Sequence, residues 1–196
     1  MSLLLTAGPA VEPVTLAEAK VHLRVDTDVE DTLIASLIVT SRLHVEASLG
    51  LALITQSWTW FRDAWPPGPA VDLPLRPIQS IAAVRTYDAG DIPTTLDPAA
   101  YFLDSTGTPP RLVRHGALPW PRIWPEPGRI ANGIEITFTA GYGPIAEAVP
   151  SPIRQAILIL IAHWHEHRTP IEDGPHAAPV PTMVVDLLAP YRSVRL

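Results

Sequence analysis

Apolar residues recur at helical spacing near both ends of this chain and alternate with polar ones in its middle. Thr15-Leu-Ala-Glu18 has the spacing of a capping box and predicts a short helix over about 16–23, stopping near Val25. Acidic residues from Asp26 to Asp31 lie ahead of and inside the first turn of a second helix, where the helix dipole favours negative charge. Val29, Leu33 and Leu37, with Ile34, Ile38 and Val45, then recur at helical spacing up to Gly50, a natural residue to follow a helix C-terminus. The pattern predicts one long amphipathic helix over 29–49.

From Ile54 the period changes to two. Ile54, Gln56, Trp58 and Trp60 fall on one face, and Thr55, Ser57, Thr59 and Phe61 on the other. Further strands are predicted over 71–75, 78–87, 101–104, 111–115 and 134–142, with a turn at Asp88-Ala-Gly-Asp91. Proline is abundant, 23 of 196 residues, and 13 of them lie between Pro66 and Pro127. There they break helices and restrict strands to short or edge pieces.

Pro150-Ser-Pro152 opens the last long helix, with Ser151 as its N-cap and Pro152 at the first helical position. Its stripe is Ile153, Ala156, Ile157, Leu160, Ile161 and Trp164, and the helix is expected to end at Thr169-Pro170. Leu158, Ile159 and Ala162 lie off that stripe, so the middle of the helix is apolar on nearly every side. Such a helix needs cover all round. Ile159, Leu158 and Ala162 are therefore expected at a contact with a neighbouring subunit. A Gly/Pro-rich link, 173–181, leads to a short helix over 182–188. The expected class is α+β: a helical core of two N-terminal helices, one long and one short C-terminal helix, with a β-rich, Pro/Trp-rich insertion at 51–143. The whole forms a single domain, 1–196, with a C-terminal tail at 190–196.

Composition narrows the function. Charged residues make up only 17% of the chain and hydrophobic ones 47%, a balance that favours surface hidden against partners. The net charge of −6 argues against a protein that grips nucleic acid by neutralising phosphates. The absence of cysteine excludes disulfides, thiol catalysis and Cys-ligated zinc. The first basic residue is Lys20, so no secretory signal is expected, and the longest apolar run, 156–162, is too short to cross a bilayer.

The candidate chemistry is weak throughout. His163 and His167 are four apart, as two zinc ligands on a helix would be, but Trp164 stands where a zinc metalloprotease needs Glu. These histidines read better as a helix C-terminal turn. Asp26, Asp28 and Glu30 start like a calcium loop, yet its sixth position is Asp31 and its twelfth Leu37. Gly141-Tyr-Gly143 lacks the lysine of a phosphate loop, and no G-x-S-x-G elbow exists. No cofactor and no metal are expected. Arg111, Arg114, Arg122 and Arg129, interleaved with Trp120 and Trp124, form a basic aromatic stretch suited either to anchoring a stiff loop or to touching a partner or DNA. The tail offers Tyr191, Arg192, Val194, Arg195 and Leu196, a mixture of aromatic, fork-donor and apolar groups that suits an acidic groove on a partner.

Several blocks carry a resemblance. Val14-Thr-Leu-Ala-Glu-Ala-Lys-Val-His-Leu-Arg-Val25 and the junction Gly50-Leu-Ala-Leu-Ile-Thr-Gln56 resemble the tailed-phage head–tail connector (adaptor) family. So do Phe138-Thr-Ala-Gly-Tyr-Gly143, Val149-Pro-Ser-Pro-Ile-Arg-Gln-Ala156, His163-Trp-His-Glu-His-Arg168 and Leu187-Leu-Ala-Pro-Tyr-Arg192. Similar chains occur in gene transfer agents, virus-like particles descended from prophages. The resemblance implies no enzymatic activity. It implies a homo-oligomeric ring of about twelve copies in the particle neck, beneath the portal protein and reached by the tail at 190–196. The ring would extend the DNA channel, touch passing DNA transiently, and seat a head-closure (stopper) or tail protein, without contact to a membrane. Such a subunit would be made in the bacterial cytoplasm. Two other classes compete with this reading: a carbohydrate- or ligand-binding module using Trp58, Trp60, Trp120 and Trp124, and a metal-dependent hydrolase using His163 and His167.

Overall fold

A computed structural model of the chain describes residues 1–116, 124–167 and 180–192. They form α+β structure in two compact units. One is built from Ala10–Ile54 with Gly143 onward, the other from Met1–Pro9 with Thr55–Tyr142.

The first unit is helical. Helix α1 (Leu16–Leu23) begins on the expected capping box: Glu18 N–H donates to Thr15 Oγ1, and Thr15 N–H donates to Glu18 Oε2 at 2.8 Å. The Thr15 N–H, the Thr15 hydroxyl and the Arg154 guanidinium hold the Glu18 carboxyl below its ordinary range, with the Thr15 N–H as the largest cause. Helix α2 (Asp31–Leu49) starts two residues later than the apolar spacing predicts. Val29 is 91% exposed ahead of it and is no member of the buried stripe. Lys20 Nζ bridges Asp28 and Asp31 at 2.6 and 2.7 Å, tying α1 to the start of α2. Gly50 closes α2 with a φ of +64°, where a side chain would be strained.

After α2 the chain runs extended and buried through Leu51, Ala52, Leu53 and Ile54. Ile54 forms a parallel bridge to Gly143, where the chain returns to this unit. Helix α3 (Ser151–Glu166) starts one residue earlier than expected: Pro150 occupies the N-cap and Ser151 is already helical, with no side-chain cap. It also ends before Thr169, with His167 as its C-cap. Ile153, Ala156, Ile157, Leu160 and Ile161 are buried as the stripe predicts, against Ile34, Ile38 and Val45 of α2 and Val184 and Leu188 of α4 (Thr182–Leu188). A 3₁₀ turn, Ala189–Tyr191, continues directly from α4, so Pro190 tightens the helix end instead of breaking the chain away from it.

The second unit holds two antiparallel sheets. Strands β1 (Ser2–Ala7), β2 (Gln56–Arg62), β8 (Ile134–Ala140), β4 (Ile78–Tyr87) and β5 (Pro93–Thr95) form a five-stranded sheet in the order β1-β2-β8-β4-β5. Strands β3 (Ala70–Asp72), β7 (Arg111–Arg114) and β6 (Tyr101–Asp104) form the other, in the order β3-β7-β6. Ile134, Ile136, Phe138 and Ala140 of the central β8 are fully buried. The sheet unit is therefore not drawn from the middle of the chain alone. Residues 2–7 supply an edge strand, with Leu3 opposite Trp60 and Leu5 opposite Trp58. The alternation predicted for β2 is incomplete: Gln56 and Trp60 are buried, but so is Thr59 on the other face. Its hydroxyl lies 3.1 Å from that of Thr6 and 3.5 Å from that of Thr137, a row of threonines across three strands. The turn at 88–91 is present, with Asp88 Oδ1 accepting from Gly90 and Ile92 N–H. The Gly128 backbone packs onto this turn so closely that a Cβ there would sit 2.3 Å from Ala89 N.

Candidate interaction surfaces

Helix α3 positions the residues expected at a subunit contact. Leu158, Ile159 and Ala162 are each half-buried, in contrast to the fully buried Ile157 and Leu160 beside them. From Gln155 to Glu166 the helix carries no Lys, Arg or Asp, and its one glutamate is terminal. Arg154, at its start, is spent inside the unit: Nε donates to Pro13 O at 2.9 Å, and the guanidinium pairs with Glu18. The half-buried side of α3 thus carries no charged residue for two turns.

Helix α2 presents a second neutral face, which the sequence reading did not single out. From Thr32 to Leu49 its only ionic residues are Arg42 and Glu46, and both are buried. Arg42 Nη1 donates to Glu46 Oε2 at 2.7 Å and Nε to Glu12 Oε2 at 2.7 Å, while Glu46 Oε1 accepts from Leu53 N–H at 2.9 Å. The outward positions are Ala35, Ser36, Val39, Thr40, Leu43, His44, Ala47 and Ser48. The signal available in the sequence was the lack of charge at these positions, which a count of apolar spacing alone passes over.

The basic aromatic stretch is placed differently from its appearance in sequence. Trp124 is 4% exposed and stacks on Trp65, ring centres 4.4 Å apart, so its ring is not offered to a partner. Arg129 pairs with Asp91 and lies over the Tyr87 ring, 4.2 Å from its centre. Arg111 pairs with Asp104 at 2.6 Å, and Arg114 is half-buried on β7. Thr106 and Arg111 together hold the Asp104 carboxyl down to about 2, the Thr106 hydroxyl being the largest cause. Trp120 and Arg122 lie outside the described residues. Within the tail, Tyr191 is half-buried at the end of the 3₁₀ turn and Arg192 is exposed, while Val194, Arg195 and Leu196 lie outside the described residues.

The histidines close α3. The rings of His163 and His167 are 4.6 Å apart and His167 Nδ1 meets His163 O at 2.8 Å. His165 Nε2 meets Glu30 Oε2 at 2.9 Å, joining α3 to the residue before α2. Among the described residues no group of three or more His, Cys, Asp or Glu could hold a metal ion. No helix among them is long and apolar enough to cross a membrane.

The chain is similar to proteins of particle necks. The sequence model of the phage gp6-like head-tail connector protein family matches residues 13–90. It spans α2 and two of the blocks that carry the resemblance, 14–25 and 50–56. No curated protein matches the chain. Among solved structures, a chain in the neck of an empty gene transfer agent particle computed with C6 symmetry is 28% identical, with a TM-score of 0.84. That match covers 100% of this chain and 97% of the other. A chain in the virion of the native gene transfer agent particle is 28% identical over the same shares, with a TM-score of 0.82. A chain in the neck of the native particle computed with C12 symmetry is 29% identical, covering 98% and 97%, with a TM-score of 0.72. The chain is therefore similar to the phage head–tail connector family, and its likeness to gene transfer agent neck chains points to a structural, non-enzymatic protein. Over its whole length the chain has the fold of a gene transfer agent neck protein.

Proposed function

We propose that the chain assembles as a ring of about twelve copies in the particle neck, beneath the portal, where it extends the DNA channel and seats a head-closure or tail protein. The observation that carries this reading is the whole-length likeness to a neck chain in a particle with C12 symmetry. Both units then act as one connector subunit, made in the bacterial cytoplasm before assembly. The neutral side of α3 around Leu158, Ile159 and Ala162 serves as a subunit contact. A ring closed by rotation needs such a surface on every copy. The net charge of −6 suits a channel wall that does not hold phosphate.

The segment 190–196 serves as the portal-docking element. Its described part, residues 190–192, lies in and just after the 3₁₀ turn that follows α4, with Arg192 exposed. Transient contact with passing DNA falls to Arg residues of the sheet unit. Arg111 and Arg129 are already paired to carboxylates, which moderates any grip on phosphate. The test is purification of particles carrying an affinity tag on this chain. Co-purification of portal protein with a ring-sized multimer supports the reading, and a tagged monomer free of portal protein contradicts it.

A further inference from the structure

We infer that the outward face of α2, centred on Ala35, Val39 and Leu43, is the counterpart that receives the half-buried side of α3 of the next copy. The inference rests on the ring reading and adds which two faces meet. A ring grows by head-to-tail contact, so each subunit needs two different, complementary patches. The neutral side of α3 is one of them. A helix face left to water normally carries charge, and that of α2 carries none from Thr32 to Leu49.

Leu43 is 51% exposed and Val39 37%. With Ala35 and Ala47 they form a ridge at intervals of four, and the small alanines at its ends permit close approach by another helix. The serine and threonine hydroxyls beside the ridge bond back onto their own helix. Ser36 Oγ donates to Leu33 O at 2.7 Å, Thr40 Oγ1 to Ser36 O at 2.8 Å, and Ser48 Oγ to Val45 O at 3.0 Å. Their hydroxyl protons are satisfied within the helix, so covering this face strands none of these donors. The ionic residues of α2 are likewise kept on the buried side and paired there. This is a surface already prepared for loss of water.

Packing leaves both patches outside the core. Helices α2 and α3 pack on each other through their buried stripes, to which Ala35, Val39 and Leu43 of α2 and Leu158 and Ile159 of α3 do not belong. His44, beside the α2 ridge, meets the Trp164 ring of α3 edge to face, ring centres 5.6 Å apart. A subunit with two different neutral faces joins head to tail. The partner is a second copy of this chain, because α3 offers the matching neutral ridge of Gln155, Leu158, Ile159 and Ala162.

The chain has no cysteine, so a pair of introduced ones gives a clean readout. Under oxidation the variant Leu43→Cys with Ile159→Cys is expected to yield a ladder of disulfide-linked multimers from purified rings or particles. Each single variant should remain uncrosslinked. Leu43→Glu, at a solvent-exposed position, should keep its circular dichroism spectrum and lose about tenfold or more in ring incorporation. Rings that form normally but give no ladder in the double variant overturn the α2–α3 pairing and leave the ring reading intact. Dimers from Leu43→Cys alone would show α2 facing α2 and also overturn it. Absence of any ring from the native chain and its particles overturns the ring reading itself, and this inference with it.

Discussion

Arg42 and Glu46 sit one turn apart on α2, joined at 2.7 Å inside the helical unit, and Glu46 carries the connection on to the Leu53 N–H. The pair accounts for the junction that follows α2. A buried extended segment needs partners for its amides, and Glu46 supplies one through its side chain and another through its carbonyl, which accepts from Leu51 N–H at 3.1 Å. Replacing Glu46 by Ala leaves a buried guanidinium and the Leu53 amide short of a partner. Glu12 still pairs with Arg42, so the expected loss is about 1–3 kcal/mol, as for leaving a buried donor unsatisfied. Urea denaturation of the variant checks it.

Ile159→Asp separates core from contact. Ile159 is half-buried while Ile157 is fully buried. The variant should fold as a monomer, with a loss of about 1–2 kcal/mol, and fail to enter rings. Ile157→Asp should not fold. Sedimentation and circular dichroism on both variants read the difference, and an unfolded Ile159→Asp protein would place that side chain in the core.

Much of the architecture was legible because local chemistry and packing agree. The capping box fixes the start of α1, and the strands at 78–87 and 101–104 and the helix at 182–188 fall where period and proline place them. The edge strand β1 escaped notice because Leu3-Leu-Leu5 does not alternate, and its pairing partner lies more than fifty residues away. Strand β5 is three residues long and begins with Pro93, too short for a period to show. Leu158, Ile159 and Ala162, which are half-buried on α3, stand out in the sequence as excess hydrophobicity. The fate of Trp124 does not, since only tertiary structure reveals the stack on Trp65.

Acid should act on the smaller sheet. Thr106 and Arg111 favour the charged form of Asp104 and depress its value from 3.8 to about 2. A depressed carboxylate stabilises the fold above its unfolded value, and that contribution disappears as pH falls through the folded one. Amide protection across β6 and β7 is expected to weaken between about pH 4 and pH 2, and less so in Asp104→Asn, which has already lost the charge. Hydrogen exchange measured by NMR over that range follows it.

The histidine turn at the end of α3 is expected to bind no metal. His163→Ala with His167→Ala should leave gene transfer or infectivity largely intact while the protein stays folded. One zinc per native chain, lost in the double variant, would reassign these residues.

Removal of 193–196 should leave the helical unit as stable as before within about 1 kcal/mol, because Tyr191 and the 3₁₀ turn remain. The same truncation should abolish co-purification with the portal. Normal co-purification would move the docking element elsewhere on the subunit.

The proposed role of this chain is that of the ring-forming connector of a particle neck. Its most direct test is cryo-electron microscopy of particles in which this chain alone carries a small density label. The account predicts one label per subunit in a symmetric ring of about twelve between the head and the tail, around an open channel. Label on the capsid shell or the tail tip, or a neck that is complete without it, would contradict the account.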